Sequence, residues 1–399
     1  MTSESPTNGT FGFGTEAVHA GSPHDLATGA LSEPIYLSTT FVQPDVAQPT
    51  SKYIYSRSNN PNRESFEHAL AKLERAKHAL AFSSGLAATA AIVQGLAFNR
   101  HVICNADLYG GTYRFLTRVA NTNCVTVDFI PSLEKDVTHY LKHNTKLIWI
   151  ETPSNPTLSL IDIRSVAEVA RARGIVVVVD STLLSPYLQN PLDHGADIVL
   201  HSVTKYINGH SDVLMGAIAL NSDDIKEKLS FILTSAGSVP SPFDCWLAHR
   251  GIKTLHLRAR AASDNAAALA AVLEDSPHVL SVNYPGLVSH PHHHITVKQH
   301  RGGMGGAMIS FRIRGGGISA AQFCKRTKYF TLAESLGGVE SLCEIPAKMT
   351  HASMPREAGE AVGVYDDLIR LSVGIEDVED LVADLQVALE EAVQAVESN

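Results

Sequence analysis

The sequence is short of charge, of cysteine and of long apolar runs, and each shortage closes off a class of function. Only 18% of its 399 residues are charged, and the formal net charge is -9. A nucleic-acid partner would need a basic face to neutralise phosphates, and no basic cluster is present. The longest apolar stretches, such as 175–179, fall far short of the roughly 20 residues that cross a bilayer. Neither a nucleic acid nor a membrane is therefore an expected partner. Residues 1–22 are polar and rich in Gly, Thr and Ser, without the apolar centre of a secretory signal. The five cysteines, Cys104, Cys124, Cys245, Cys324 and Cys343, are odd in number and scattered without a CxxC pair. That usage argues against a disulfide framework and against a metal or redox centre. A cytoplasmic setting with no metal is the expectation, and the pattern Asn8-Gly9-Thr10 is then a chance match to a glycosylation site. There is no repeat at solenoid periods, and neither a Walker loop nor GxGxxG.

What is present is enough apolar material for a large core. With 44% hydrophobic residues, the length suggests two or three domains. From His78 to Ile218, short β-rich runs at 79–82, 101–104, 147–150, 175–179 and 198–201 alternate with helical patterns. That rhythm predicts an α/β fold with a mostly parallel sheet covered by helices. A long helix is expected over 243–273. A second unit follows, with strands at 279–284, 306–313 and 368–373 and a closing helix over 378–398. The expected division is an N-terminal arm over 1–55, a large domain over 56–250 and a smaller α+β domain over 251–399. The arm carries Pro34, Pro44 and Pro49 and little periodicity, so it should lie on something else, such as a neighbouring subunit.

Ligands of open α/β sheets collect at the carboxyl ends of the strands. The run 175–179 ends at Asp180, a carboxylate suited to hold a pyridine nitrogen protonated and so turn the ring into an electron sink. Taken alone, such an Asp more often caps a turn. The next strand is followed by Ser202-Val203-Thr204-Lys205. Lys205 could condense with an aldehyde cofactor while the Ser202 and Thr204 hydroxyls donate to a phosphate. After the strand at 79–82 come Ser83-Ser84-Gly85-Leu86-Ala87, where the amides of Gly85 and Leu86 at a helix N-terminus would receive an anion. Tyr109, before Gly110-Gly111, could lay its ring against a cofactor. The run His290-Pro291-His292-His293-His294 looks metal-like, but adjacent histidines point apart and no Cys or carboxylate spacing supports them, so a solvated loop is expected.

Several longer motifs occur together: Tyr55-Ser56-Arg57-Ser58-Asn59-Asn60-Pro61, Asp107-Leu108-Tyr109-Gly110-Gly111-Thr112, Glu151-Thr152-Pro153-Ser154-Asn155-Pro156, and Ser202-Val203-Thr204-Lys205-Tyr206-Ile207-Asn208-Gly209. On these, from about Thr15 to Leu389, the chain resembles the Cys/Met-metabolism enzymes that depend on pyridoxal 5'-phosphate (PLP), and within them the cystathionine γ-lyases, the fungal ones above all. The resemblance implies the fold-type I, PLP-dependent transferase-like architecture and a homotetramer of dimers with shared active sites. It implies an amino-acid substrate. It makes Lys205 the Schiff-base lysine, Asp180 the pyridinium partner and Tyr109 the stacking ring. Gly85, Leu86, Ser202 and Thr204 would hold the phosphate, and Tyr55 and Arg57 would reach it from a partner protomer. Arg370 matches the arginine for the substrate carboxylate, supported by Asn155 and Ser335, and Arg114 a second arginine near the substrate's distal end.

The chain departs from that resemblance at the distal end. Ile54 stands where the lyases carry Glu, while a second glutamate is kept as Glu334. An apolar pocket discriminates by only ~1–3 kcal/mol per methylene. Asp180-Ser181-Thr182-Leu183 also differs from the Asp-Asn-Thr-Phe of that family, as drift in the packing behind the site or as part of one reshaped pocket with Ile54. Three readings follow: γ-elimination from cystathionine to cysteine, 2-oxobutanoate and ammonia; γ-replacement joining an O-acylhomoserine to a sulfur or carbon nucleophile; and a non-catalytic homologue that keeps the fold.

Overall fold

A computed structural model describes residues 11–352 and 356–397. Asn8-Gly9-Thr10 and Ser398, the end of the expected closing helix, lie outside the described residues.

Seven strands form the first sheet: β1 (His78–Phe82), β2 (His101–Asn105), β3 (Thr126–Ile130), β4 (Thr145–Glu151), β5 (Val176–Asp180), β6 (Ile198–Ser202) and β7 (Gly216–Leu220), in the order β1-β7-β6-β5-β4-β2-β3. The valines of β5 at 177–179 and most of β2 and β4 are buried, as β-branched and aliphatic strands covered on both faces should be. Strands β2 to β6 run parallel, and β7 runs antiparallel to both β1 and β6. The parallel pairing brings the ends of β4, β5 and β6 to one edge, with Glu151 beside Asp180 and Asp180 beside Leu200, two residues before Ser202. This is the mostly parallel α/β sheet expected. Strands β3 and β7 were not anticipated. β7 reads Gly-Ala-Ile-Ala-Leu, too rich in small residues to signal a strand, yet every residue of it is buried. Its Gly216 lies so close to the start of the helix Gly85–Leu96 that a Cβ there would sit 2.3 Å from the Ser84 carbonyl oxygen.

The second sheet has β8 (Val279–Asn283), β9 (Met308–Ile313), β10 (Thr331–Leu332), β11 (Leu342–Glu344) and β12 (Leu368–Ser372), in the order β10-β11-β12-β9-β8. It is antiparallel except for the β10–β11 pair. The closing helix Val378–Glu397 packs Leu381, Leu385, Leu389 and Val393 into its core.

The expected long helix is instead two, Pro242–Ile252 and Leu255–Asp275. The break has a local cause. Gly251 is pressed against Asn208, where a Cβ would lie 2.4 Å from the carbonyl oxygen, and its own carbonyl accepts from Arg258 Nη2 at 2.7 Å. Arg258 also donates to the carbonyls of Tyr206 (2.8 Å) and Ile207 (3.2 Å), so it clamps the turn that follows Lys205. The second helix then passes between the cores, with Leu255, Ala259 and Ala262 in the first and Ala266, Leu269 and Leu273 in the other.

The arm carries a helix, Phe13–His19, which buries Ala17 and sets Phe13 edge-on to Tyr187 at 5.1 Å. Beyond it, Leu26, Val42 and Val46 are more than four-fifths exposed. The histidine run is not a solvated loop: His290 is buried, His292 Nδ1 accepts from the Leu160 amide at 3.0 Å, and His293 opens the helix His293–Gln299. Burial and the neighbouring imidazoles push His290 down to about 4, so it packs as a neutral ring.

Candidate active site

A cavity of about 500 Å³ opens at the shared strand edge. Gly85, Leu86, Tyr109, Asn155, Asp180, Ser202, Thr204, Lys205, Glu334, Ser335 and Arg370 all line it. Residues from seven strand ends and loops, up to 285 positions apart between Gly85 and Arg370, thus meet around one space.

Lys205 follows β6 on a turn whose backbone is held by Arg258. Its Nζ donates to Ser335 Oγ at 2.6 Å. Burial first, and the Arg370 guanidinium second, disfavour the ammonium and push Lys205 down to about 8; Glu344 and Glu334 offset this in part. A lysine so placed has a neutral, nucleophilic amine available near neutrality. Ser335 is held at φ 90°, in the left-handed region that a side chain with a Cβ rarely adopts. The strained backbone delivers its hydroxyl to Lys205 and its carbonyl to Arg370 Nη2, at 2.6 Å.

Asp180 is tied to the Lys205 strand by a short relay. Ser202 N–H donates to Thr182 Oγ1 at 2.9 Å, and Thr182 donates from Oγ1 and from its amide to Asp180 Oδ1 at 2.5 and 3.0 Å. Burial pushes the Asp180 carboxyl up despite those bonds. Beside it on β4, Glu151 is pushed up further, by burial and then by the charge of Asp180. Two desolvated carboxyls at one edge make a place where a cation would be strongly favoured.

Arg370, on β12, is 2% exposed. Its Nη1 meets Asn155 Oδ1 and Glu344 Oε1, each at 2.9 Å. Its Nε is buried without a protein acceptor among the described residues. A guanidinium that lines the cavity with one N–H still unsatisfied suits an incoming carboxylate.

At the other end, the helix Gly85–Leu96 presents its first amides, with Ser84 capping Ala87 at 3.0 Å. A Cβ on Gly85 would lie 3.5 Å from Ser202 Oγ, an ordinary contact, so the helix start and that hydroxyl are neighbours. The Thr204 hydroxyl is engaged with the Met215 backbone, accepting from its amide at 3.0 Å and donating to its carbonyl at 3.2 Å. Thr204 therefore shapes the turn in this structure and has its donor occupied. Tyr109 folds its ring back over Gly111, where a Cβ would come within 2.3 Å of the ring.

Four expected residues lie off this cavity within the protomer. Tyr55 and Arg57 stack on each other at 5.5 Å, Arg57 donating to the Thr234 carbonyl at 2.9 Å. Ile54 is 46% exposed, and Arg114 ends the short helix Gly110–Arg114 at the surface. Nor do Ile54, Ser181 and Leu183 form one wall here. Leu183 lines the cavity, but Ser181 is fully buried, with its hydroxyl bound by Gln189 Nε2 at 3.0 Å.

Residues given no role from sequence are Glu151, Thr182, Arg258 and Glu344. Each has at least one partner distant in the chain, Tyr109 for Glu151, Ser202 for Thr182, Tyr206 for Arg258 and Arg370 for Glu344, so no local pattern marks its role. Among the described residues there is no cluster of His, Cys, Asp and Glu that could hold a metal, and no helix is long and apolar enough to cross a membrane. All five cysteines are free.

The sequence pattern of the family "Cys/Met metabolism PLP-dependent enzyme" matches residues 14–390. Cystathionine γ-lyase of Saccharomyces cerevisiae is 53% identical over 385 residues, covering 95% of this chain and 98% of its own. A crystal structure of the yeast cystathionine γ-lyase superposes with a TM-score of 0.94 at 52% identity, covering 97% of this chain and all of that one. A cystathionine γ-synthase of Mycobacterium leprae is 48% identical over 384 residues, with coverage of 96% and 98%.

Proposed function

Because the chain belongs to the Cys/Met metabolism PLP-dependent enzymes, we propose that it eliminates the γ-substituent of a homoserine-derived amino acid, cystathionine first, with Lys205 as the base. The observation that carries this is the Lys205 amine, pushed down to about 8, lining the same cavity as Asp180 and Arg370.

Bound PLP supplies an aldehyde that captures an amino group and a ring that accepts the electron pair left at Cα. The residues present fit it. The amides of Gly85 and Leu86 and the Ser202 hydroxyl would take its phosphate, with Thr204 holding their turn. Asp180, a buried anion in need of a cation, would hold the ring nitrogen protonated. Tyr109 would cover the ring face.

Arg370 receives the substrate carboxylate, its plane fixed by Asn155 and the Ser335 carbonyl. Lys205 then takes the Cα proton as a neutral amine. Its flexible stem lets the same nitrogen move a proton at Cβ as the γ-substituent leaves. The Ser335 hydroxyl, at 2.6 Å, orients the amine between the two positions. Glu334 faces the cavity as an anion for a distal ammonium.

The assembly proposed is a homotetramer of dimers, in which Tyr55 and Arg57 of one protomer reach the phosphate in its partner, with Ile54 and Arg114 toward the distal end of a substrate. Exposed apolar residues of the arm, such as Leu37 and Val42, support a covering surface there. We place the arm at 1–55, the large domain at 56–250 and the smaller one at 251–399, supported by the core of the smaller sheet, which is drawn entirely from residues 266–393. Five free cysteines fit a reducing, cytoplasmic setting.

A second reading, γ-replacement on an O-acylhomoserine by a sulfur or carbon nucleophile, is favoured by Ile54 at a position where an anion is expected, and by the similarity to the M. leprae γ-synthase. Incubation with cystathionine and, separately, with O-acetylhomoserine plus cysteine separates them. Rapid release of cysteine, 2-oxobutanoate and ammonia from cystathionine supports elimination; cystathionine formation from the ester with little breakdown would replace it with the second reading.

A further inference from the structure

Glu151 ends β4 at the edge of the cavity, yet it is only 2% exposed. Both its oxygens are committed to backbone amides of two different loops. Oε2 accepts from Tyr109 N–H at 2.9 Å, and Oε1 accepts from Asn155 N–H at 3.1 Å. Asn155 in turn holds Arg370 Nη1 through Oδ1 at 2.9 Å. The backbone of Glu151 is itself fixed, its N–H donating to Asn105 Oδ1 at 2.9 Å. Tyr109 is the residue placed over the cofactor ring, and Arg370 the one placed at the substrate carboxylate. One buried side chain therefore sits between the two.

A group serving the fold alone would not need to be this one. Burying a carboxylate beside Asp180 is costly, and that cost shows in the raised proton affinity of both. What only a carboxylate offers is two acceptor oxygens with no donor. A glutamine of the same shape satisfies one amide and turns an N–H toward the other.

We propose that Glu151 is a positioning residue that locks the Tyr109 loop and the Asn155–Arg370 arm into one geometry, holding the cofactor ring and the substrate carboxylate in a fixed relation. The inference rests on the reading of the site given above. Behind Glu151 lies a second cavity of about 240 Å³, which Glu151, Asn105 and Ser154 line. Glu151 is thus a wall between two spaces, and a small carboxylate has room to replace its side chain if that is cut back.

Two variants of the full-length holoenzyme test this. Glu151→Gln should keep its thermal midpoint within a few degrees, but lose ~10–100-fold in kcat/KM, the size expected when a hydrogen bond to a charged group is lost. The loss should fall on KM through Arg370. It should be accompanied by a changed visible circular dichroism of bound PLP and a weaker PLP affinity through Tyr109. Asn155→Ala should raise KM while leaving that dichroism as in the wild type. Glu151→Ala should be rescued in part by formate. Wild-type KM, dichroism and PLP affinity in folded Glu151→Gln would overturn the proposal, and so would failure of formate to restore a folded Glu151→Ala. Should the alanine variant not fold, Glu151→Gln decides alone. If wild-type protein shows no visible PLP band, the reading of the site fails instead, a result distinct from any of these.

Discussion

Lys205 is the residue whose chemistry depends most on its surroundings. Burial and Arg370 both disfavour its ammonium, so the folded protein holds it down to about 8, against the ordinary lysine value of 10.5. The sign follows: the neutral amine is half-formed near pH 8 and dominates above it, instead of only above pH 10. In protein stripped of cofactor, trinitrophenylation of Lys205 followed by peptide mapping should therefore be half-maximal near pH 8. Arg370→Gln removes the second cause and leaves Glu344 and Glu334 acting in the opposite direction, so the midpoint should move up. A midpoint near 10.5 in the unmodified chain, or a downward move in the variant, would contradict the electrostatics. The candidate lysine was legible because it follows an apolar strand beside two hydroxyls. Its environment was not, because Arg370 and Ser335 stand 165 and 130 positions further along the chain.

At the scale of elements, the strands that end in Asp180 and Ser202 could be read from runs such as Val177-Val178-Val179, since burial on both faces demands continuous apolar residues. The same logic failed for β7, where close packing against the helix start called for Gly216 and small neighbours instead of large β-formers. It failed again at residues 253–254, where the helical pattern continues but Arg258 pulls the Gly251 carbonyl out of the helix. Glu151 lay within a motif used for recognition, yet its role required two amides, one 42 residues before it. Gly216 carries the element-scale prediction. In Gly216→Ala the new methyl meets backbone at Ser84, which no rotamer can relieve. Overpacking of this kind typically costs ~1–3 kcal/mol. The variant should unfold at lower denaturant, and, because the displaced segment leads into Gly85 and Leu86, it should bind PLP more weakly. Unchanged PLP affinity with reduced stability would show that the helix start does not set the phosphate site.

At the scale of the molecule, both sheets contribute to one cavity: Asp180, Ser202 and Lys205 from the large sheet's edge, Ser335 and Arg370 from around the smaller sheet. The proposed cofactor end draws on Tyr55 and Arg57 of a partner protomer, and the arm that ends at Tyr55 leaves apolar side chains such as Leu37 and Val42 exposed. The measurement that tests this account most directly is native mass spectrometry of the full chain, loaded with PLP and reduced with borohydride, followed by peptide mapping. The account predicts a four-chain assembly with one pyridoxyl group fixed per chain, on Lys205, and none in Lys205→Ala. A wild-type chain that fixes no pyridoxyl group, or a Lys205→Ala variant that still does, would contradict it.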